Sequence, residues 1–422
     1  MRQYKDAGVQ LVMSKWNHFL PFIVLMGCRG GEKSEGPDVE LAVTEVVDGA
    51  APHLRSWSGS MDCCGEDPHP LHGTVLRDGS VVMVGKAVAR DGEPAGFVTQ
   101  WRAPDGPAVG QFIDDEAAVI LATDNVGSGS VLAQVVEVGD MIVAVGFEAS
   151  TAGEDFLGIA VAMEPETLSV VARLVLDGPE RGTSAVFESV IVTPSGQLIL
   201  GGSWGCDRDE IEGLKSFGNI VGGRGVLVEV DPETWFDVGR DAVGPDDVGA
   251  LVHEVSEVQS VKSMRATSDG SIVAVGHDLE ERSGFIRVDS GLLDHEWTRF
   301  DDGFELTDTA VLETDGQEMI VLVGHGGTST IDGHAKAVRA DGSVLWTTTF
   351  GNPGLDPDDA PAGDLAPDKF IFDECWGVAS TRSGVVIACG SGIEGCDAVD
   401  ATSAEREQCQ QDPRRAWRSH LV

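Results

Sequence analysis

The sequence ATSDGSIVAVGHD (Ala266–Asp278) recurs along the chain with the same plan, and this repetition limits the possible folds more than any other feature. Each copy has a short strand, a turn centred on Asp-Gly, Ser-Gly or Gly-Asp, and a run rich in β-branched residues that closes on a glycine. Turn glycines supply the positive φ that tight hairpins need. The copies are Val75–Lys86, Val136–Phe147, Val192–Gly202, Ala266–Asp278, Glu313–His325 and Ala379–Ser391, and their closing glycines are Gly85, Gly146, Gly201, Gly276, Gly324 and Gly390.

A second pair of strands follows several copies. It is visible in Gly284–Ser290 leading to Trp297, in His334–Trp346, and in Arg224–Asp231 leading to Trp235. Four strands per unit, at a spacing of roughly 45 to 75 residues, are typical of propeller blades. The apolar runs hardly alternate, so the strands are expected to be buried on both faces, and no stretch has the period of a long helix.

This pattern resembles the SBBP-type tandem β-propeller repeats of exported bacterial proteins, over about residues 70 to 422. We therefore predict an all-β chain with a single β-propeller of six, or seven, four-stranded blades over residues 40–422. A pair of β-sandwiches is the alternative, and the regular spacing from turn to glycine disfavours it. The last copy ends at Val422 where a third strand is expected. Either the chain is truncated there or an N-terminal strand, such as Glu40–Val47, completes the last blade.

The N-terminus predicts export. The apolar run Phe19–Met26 is much shorter than the about 20 residues that span a bilayer, which indicates a signal peptide. It ends in LMGC, which resembles the bacterial lipobox and implies that Cys28 becomes an acylated N-terminus. A plain signal peptide is the alternative, and a start at Met13 in place of Met1 would give a shorter signal of the same kind. The predicted segments are a lipoprotein signal at residues 1–27 and a Gly-rich flexible tether at residues 28–39.

Cysteines in an exported chain are expected to form disulfides. Cys375 and Cys389 flank a predicted hairpin, so they should face each other across two strands. Cys396 and Cys409 bracket a long polar insertion that a bridge would staple. Three further cysteines leave one over, so Cys206 could pair with Cys63 or with Cys64, or stay free.

The formal net charge of −41 argues against nucleic acid as a partner, because such a surface repels phosphates. Sialidase-like propeller hydrolases need a tyrosine nucleophile, and the only tyrosine is Tyr4, in or before the signal. No Gly-x-Ser-x-Gly, His-Glu-x-x-His or phosphate-binding glycine loop occurs in the sequence. We therefore predict no catalytic residues.

Two segments contain metal-ligand types. Met61–Gly73 holds Cys63, Cys64, His69 and His72, without a standard zinc spacing. Its adjacent cysteines also resemble the vicinal disulfide of pyrroloquinoline-quinone dehydrogenases, although the docking repeats of that family are missing. The loop Gly354–Asp368 could hold Ca²⁺ through its carboxylates, without the EF-hand order. We expect no bound cofactor, with Ca²⁺ as the exception that the loop allows.

Repeat symmetry predicts a binding face. Long insertions lie between second and third strands or between blades, and both emerge on one face of a propeller. Residues after the closing glycines belong to that rim, and others near the starts of the inner strands, among them His72, Glu188 and Asp308, lie closer to the axis. The predicted ligand-binding residues are Lys86, Trp204, Lys262, His277, His325 and Trp376.

The sequence therefore predicts a lipid-anchored, monomeric binding module at the bacterial cell envelope, with outer-membrane placement and an unidentified protein or glycan partner. Arg29 follows the lipidated cysteine, where inner-membrane retention is associated with aspartate. Two other functions stay open. One is an exported enzyme that holds a metal or quinone near Met61–Gly73 or the His277/His325 rim, and the other is a purely structural envelope protein.

Overall fold

The structure is a computed structural model, and it describes the chain in separate ranges. Before residue 71 and after residue 389 only the backbone of the strands is described. The described residues are 9–13, 21–22, 38–45, 53–60, 66–88, 94–102, 111–112, 119–121, 129–150, 155–180, 182–206, 222–239, 242–278, 280, 282–289, 291, 294–300, 303–314, 317–326, 332–350, 371–381, 384–393 and 418–421.

Five antiparallel sheets of at least four strands form the blades of a β-propeller, which confirms the predicted all-β propeller but not the predicted count of six or seven blades. The blades, numbered along the chain, consist of Glu66–Val75, Val81–Val88, Pro94–Arg102 and Gln111–Phe112; Ser130–Val138, Met141–Ala149, Phe156–Met163 and Val170–Leu176; Ser184–Val192, Leu198–Cys206, Arg224–Val230 and Leu251–Val255; Ser260–Ala266, Ile272–His277, Ser283–Val288 and His295–Arg299; and Phe304–Thr314, Gln317–Gly326, Asp332–Val338 and Val344–Phe350.

Short strands extend two of these blades. Pro21–Phe22 pairs with the first strand of blade 1, and Val119–Leu121 pairs with its third strand. Ala242–Val243 pairs in parallel with the fourth strand of blade 2. The first strands of successive blades contact one another, so they line the axis of the propeller.

Two further sheets have three strands each. One follows blade 5 in the chain and packs against it, and we call it the C-terminal sheet; its strands are Ile371–Ser380, Val385–Ile393 and Arg418–Leu421. In the other sheet Asp38–Glu45 lies between Val9–Met13 and His53–Ser60. The strand predicted at Glu40–Val47 therefore does not lie beside Arg418–Leu421, as proposed for closure of the last blade. Its partners are nearer in sequence, and pairing with them closes shorter loops.

Blade 3 departs from the predicted strand order. The segment around Trp235 is a short helix, Pro232–Asp237, which begins with Asp231 as N-cap and proline in its first turn. A 3-10 helix, Pro245–Val248, follows, and the fourth strand comes only at Leu251–Val255. The sequence pattern predicts residues 237–254 as an insertion between blades. They lie inside blade 3 instead, because Trp235 is fully buried in the core and does not pair in the sheet. No helix among the described residues is long and apolar enough to cross a membrane.

The core lies between neighbouring blades, as expected for strands that are buried on both faces. Between blades 2 and 3, Leu174 and Phe187 pack with Trp235. Between blades 4 and 5, Val273 and Phe285 pack with Ile320. Each large side chain buried in this way stabilises the fold by about 1.5–3 kcal/mol relative to exposure.

A β-bulge recurs at the same place in the first strands. In blade 2, Leu132 pairs with Gly146 and Gln134 pairs with Val145, so that Ala133 has no partner. The same shift occurs in all five blades and in the C-terminal sheet. We call the six extra residues the bulge ring, and they are Leu71, Ala133, Glu188, Lys262, Thr307 and Trp376.

The bulge explains why each copy closes on glycine. A Cβ on Gly146 would lie 1.9 Å from the carbonyl oxygen of Val131, because the bulged strand turns that carbonyl onto its neighbour. In blade 3 the glycine opposite the bulge is Gly202, one residue beyond the predicted Gly201. In the C-terminal sheet Cys389 takes this position, and it forms a disulfide with Cys375. That predicted disulfide is present.

Candidate functional site

The members of the bulge ring are accessible residues in strands that are mostly buried. Trp376 is exposed, and the other five members are partly exposed, whereas the residue before each described bulge is buried wherever its side chain is described. A bulge re-aims one side chain without changing the rest of the strand. Each bulge lies at least four residues before the hairpin turn at the end of its strand, so the ring lies toward the end of the propeller away from these turns.

The chemistry of the bulge ring differs from blade to blade. Leu71 and Ala133 are apolar, whereas Glu188, Lys262 and Thr307 are polar. Trp376 completes the set with an aromatic ring that is 38% exposed. A repeat that preserves the backbone and varies the side chain at one accessible position is typical of a binding surface.

A chain of polar contacts links three blades and the C-terminal sheet at this end. Lys262 donates to Glu305 in blade 5, with 2.6 Å between Nζ and Oε1. The other oxygen of Glu305 lies 3.7 Å from Nε2 of His325. The His325 ring is 4.8 Å from the ring of Trp376, centroid to centroid. Glu188 accepts a hydrogen bond from the Ser260 hydroxyl on blade 4.

The two carboxylates of this cluster have opposite shifts. Burial raises the pKa of Glu188 to about 7, and the nearby Glu305 adds to the rise while Lys262 opposes it. Burial would also raise the pKa of Glu305, but Lys262, His325 and His277 together hold it below its usual range. Glu305 is thus ionised near neutral pH, whereas Glu188 divides between its two forms.

His325 is neutral near pH 7. Burial is the largest effect and lowers its pKa; the attraction of Glu305 opposes this in part, and Lys262 adds a smaller lowering. The cluster therefore contains one close ion pair, one neutral imidazole and one carboxyl group near its midpoint. Its hydrogen-bond donors and acceptors are fixed, while its net charge is small.

Beneath the bulge ring lies a belt of polar side chains, which come from the following position of the first strand in each of the five blades. Backbone N–H groups of the next unit donate to three of them: Val135 N–H to Nδ1 of His72 at 3.4 Å, Val190 N–H to Oε1 of Gln134 at 2.7 Å, and Val378 N–H to Oδ2 of Asp308 at 2.8 Å. The acceptors occupy equivalent positions, so the belt forms hydrogen bonds between neighbouring units.

Asp308 is the most heavily used member of the belt. Nη2 of Arg265 donates to both of its carboxylate oxygens, at 2.9 and 3.2 Å, and the Ser263 hydroxyl also donates to it. Arg265 contributes to the low pKa of His72, about 3, after burial as the larger cause. His72 is in blade 1 and Arg265 in blade 4, so the two act on each other across the axis. The belt thus forms a polar floor below the bulge ring.

Four of the six predicted ligand-binding residues meet in this arrangement. Lys262, His325 and Trp376 belong to the contact chain, and His277 lies close enough to lower the pKa of Glu305. The sequence analysis did not predict Glu305 as a site residue. It lies two residues before a bulge, and no sequence feature of its own strand marks the bulge; only the glycine on the partner strand does.

The other two predicted residues lie apart from the contact chain. Lys86 occupies the position after the closing glycine of blade 1, equivalent to His277 and His325, and pairs with Gly96 in the sheet. Trp204 lies one residue beyond that position, because Gly202 is the closing glycine of blade 3. Its indole N–H donates to the carbonyl of Asp177 at 2.7 Å, and the ring packs against the core.

Several predicted sites lie outside the described residues. These are the lipidated Cys28, the Cys396–Cys409 bridge, the acidic loop 354–368 and the side chains of Cys63, Cys64 and His69. Cys206 is buried, with its sulfur 3.4 Å from the carbonyl of Ser184. In the part of the chain with described side chains, no group of three or more His, Cys, Asp or Glu residues is placed to hold a metal.

Comparisons with known proteins give a likeness of fold. No protein-family model and no curated protein matches the chain. A putative 6-phosphogluconolactonase from Bacteroides uniformis is similar at 11% identity and a TM-score of 0.40, over 82% of this chain and 90% of that chain. The WD40 domain of Toxoplasma gondii coronin is 11% identical, with a TM-score of 0.41 over 98% and 91%. The NanB sialidase from Streptococcus pneumoniae is 9% identical, with a TM-score of 0.44 over 85% and 67%.

Proposed function

We propose that this chain is a recognition module of the bacterial cell envelope that binds its ligand at the bulge-ring end of the propeller. The observation that carries the proposal is the ring itself. Six equivalent strands each present one accessible residue at one end, and the six residues differ in chemistry while the backbone repeats. A purely structural propeller has no need for an exposed tryptophan close to a half-buried ion pair.

The proposal includes a sixth blade and a lipid anchor. The C-terminal sheet carries the same bulge as the five blades, and its first strand also contacts Pro21–Phe22 of blade 1, which supports closure of the ring by this sheet. Export and acylation at Cys28 follow from the signal and lipobox resemblance. An anchor of this kind would leave the propeller tethered to the membrane by the Gly-rich segment 28–39.

The chain offers a matched pair of variants for the binding test. Trp376 is 38% exposed in the bulge ring, and Trp346 is 37% exposed on the outermost strand of blade 5. The same truncation, tryptophan to alanine, thus removes the same exposed area at two places. The protein from residue 29 onward is produced by export to an oxidising periplasm and incubated with separated envelope fractions: polysaccharide, peptidoglycan and membrane protein.

We expect wild-type protein and Trp346→Ala to bind one fraction equally, and Trp376→Ala to bind it at least about tenfold more weakly. Equal binding by all three proteins would refute recognition through the bulge ring. Radiolabelled fatty acid tests the anchor separately, since it should label the full chain and not Cys28→Ser. Absence of label from both would refute the anchor alone.

A further inference from the structure

We propose that the ligand of the bulge ring is a neutral carbohydrate whose sugar ring packs against Trp376. This inference rests on the recognition function proposed above and names the class of its ligand. Its basis is the distribution of polar and apolar groups around the ring, together with the charge balance of the cluster around Glu305.

The bulge ring has an apolar side and a polar side. In the order of the chain, Glu188, Lys262 and Thr307 follow one another, and in a closed ring Trp376 is followed by Leu71 and Ala133. A pyranose has the same division, since its C–H groups form an apolar face and its hydroxyls form a polar edge. Stacking of such a face on tryptophan leaves the hydroxyls directed at groups around the tryptophan, as in sites with one aromatic anchor and a few placed polar groups.

The charge of the cluster selects against charged ligands. Lys262 is neutralised by Glu305, His325 is neutral, and Glu188 has a pKa of about 7. The chain as a whole has a formal net charge of −41, so an anion is repelled before it reaches the ring. A cation finds the carboxylate of Glu305 already paired with Lys262. A neutral ligand is not repelled by the charge of the chain and does not need an unpaired charge in the cluster.

The hydrogen-bonding groups suit hydroxyls, which both donate and accept. Glu305 is a pure acceptor, Lys262 a pure donor, and Thr307 has a hydroxyl that bonds to the carbonyl of Cys375 at 2.9 Å and keeps acceptor capacity. These groups are held by contacts with neighbouring blades before any ligand arrives. A preorganised site of this kind loses little side-chain entropy on binding.

The position of Trp376 is fixed from both sides. Cys375, the residue before it, is joined to Cys389 by a disulfide, and the His325 ring lies against the indole. The backbone carbonyl of Cys375 also accepts the Thr307 hydroxyl. The exposed indole ring is therefore held in one position, as stacking of a sugar ring requires.

Isothermal titration calorimetry with named probes tests this inference. The probes are glucose, galactose, mannose and N-acetylglucosamine as neutral sugars, N-acetylneuraminic acid as an anionic sugar, and glucosamine and trilysine as cations. We expect at least one neutral sugar to bind wild-type protein and Trp346→Ala, and Trp376→Ala to lose at least about tenfold in affinity. The charged probes should bind at least tenfold more weakly than that sugar.

The outcomes separate this inference from the proposed function. If an envelope fraction is bound through Trp376 but no neutral sugar binds or competes, the carbohydrate is wrong and recognition stands. Binding of trilysine or of N-acetylneuraminic acid through Trp376 overturns the neutral class in the same way. If a neutral sugar binds equally to Trp376→Ala, it binds elsewhere, and the inference fails.

Discussion

Replacement of Gly146 by alanine tests the close approach of the two strands at the bulge of blade 2. The added Cβ would lie 1.9 Å from the carbonyl oxygen of Val131 and 2.9 Å from Cα of Leu132, both in the bulged first strand of blade 2. The strands must part by about 1 Å to relieve this contact, in an interior packed as densely as a crystal. Overpacking costs about 1–3 kcal/mol, and a weakened backbone hydrogen bond about 1 kcal/mol more. We expect a loss of about 3 kcal/mol.

Thermal unfolding followed by circular dichroism measures the effect. A loss of that size should lower Tm by about 5 °C in a domain larger than 200 residues. Gly384→Ala is the matched control, because a Cβ there meets nothing within 4 Å and its φ is outside the left-handed region. It should leave stability unchanged or raise it by about 0.4–1 kcal/mol. If Gly146→Ala is as stable as Gly384→Ala, the bulge account of the closing glycines is wrong.

Three other variants test the ring and the belt. Burial raises the pKa of Glu188 from 4.5 to about 7, so the free energy of unfolding of the wild type should fall as pH rises from 4.5 to 7 and then level off. Glu188→Gln should not show this fall and should be more stable than the wild type by up to a few kcal/mol at pH 8, as measured by urea unfolding. The same dependence of stability on pH in both proteins would contradict the prediction. The double variant Cys375→Ser, Cys389→Ser removes a bridge between residues 14 apart in sequence, and it should lower the free energy of unfolding by about 3 kcal/mol. If reduction of the wild-type protein does not lower its Tm, the bridge is not present. Asp308→Ala leaves Arg265 without its carboxylate partner and should lower the free energy of unfolding by about 3 kcal/mol in the same urea assay. Asp308→Asn should lie between Asp308→Ala and the wild type. If Asp308→Ala is as stable as the wild type, the belt does not contribute to stability.

The sequence was sufficient to predict the propeller because the repeat recurs at the level of whole blades. Turn glycines and β-branched runs fix the hairpins locally, and their spacing determines the number of strands per unit. The helix at Pro232–Asp237 was not predicted, because Trp235 resembled the tryptophans in the fourth strands of other copies. The choice between helix and strand there depends on burial in the core between blades 2 and 3, which is a tertiary effect.

The candidate site was predictable in its residue types more than in its arrangement. Lys262 and Trp376 stood out as polar or aromatic residues at strand starts, but nothing in their own strands showed that each is an extra residue in a bulge. Glu305 looked like one of many surface acids, since the sequence has 70 acidic residues. Its pairing with Lys262 depends on the neighbouring blade, which is 43 residues away in the chain. Contacts of that range are not visible in a local pattern.

Thiol labelling at Ala133 tests the central claim, that each first strand turns one bulged residue to solvent at the mouth of the ring. Ala133→Cys is compared with Ala144→Cys, which replaces an alanine with no exposed area on the next strand of the same blade. A small charged methanethiosulfonate is applied to each protein, and peptide mass mapping identifies the modified cysteine. The bulge ring predicts rapid modification at position 133 and protection at position 144. Protection of both positions, or equal modification of both, would contradict it.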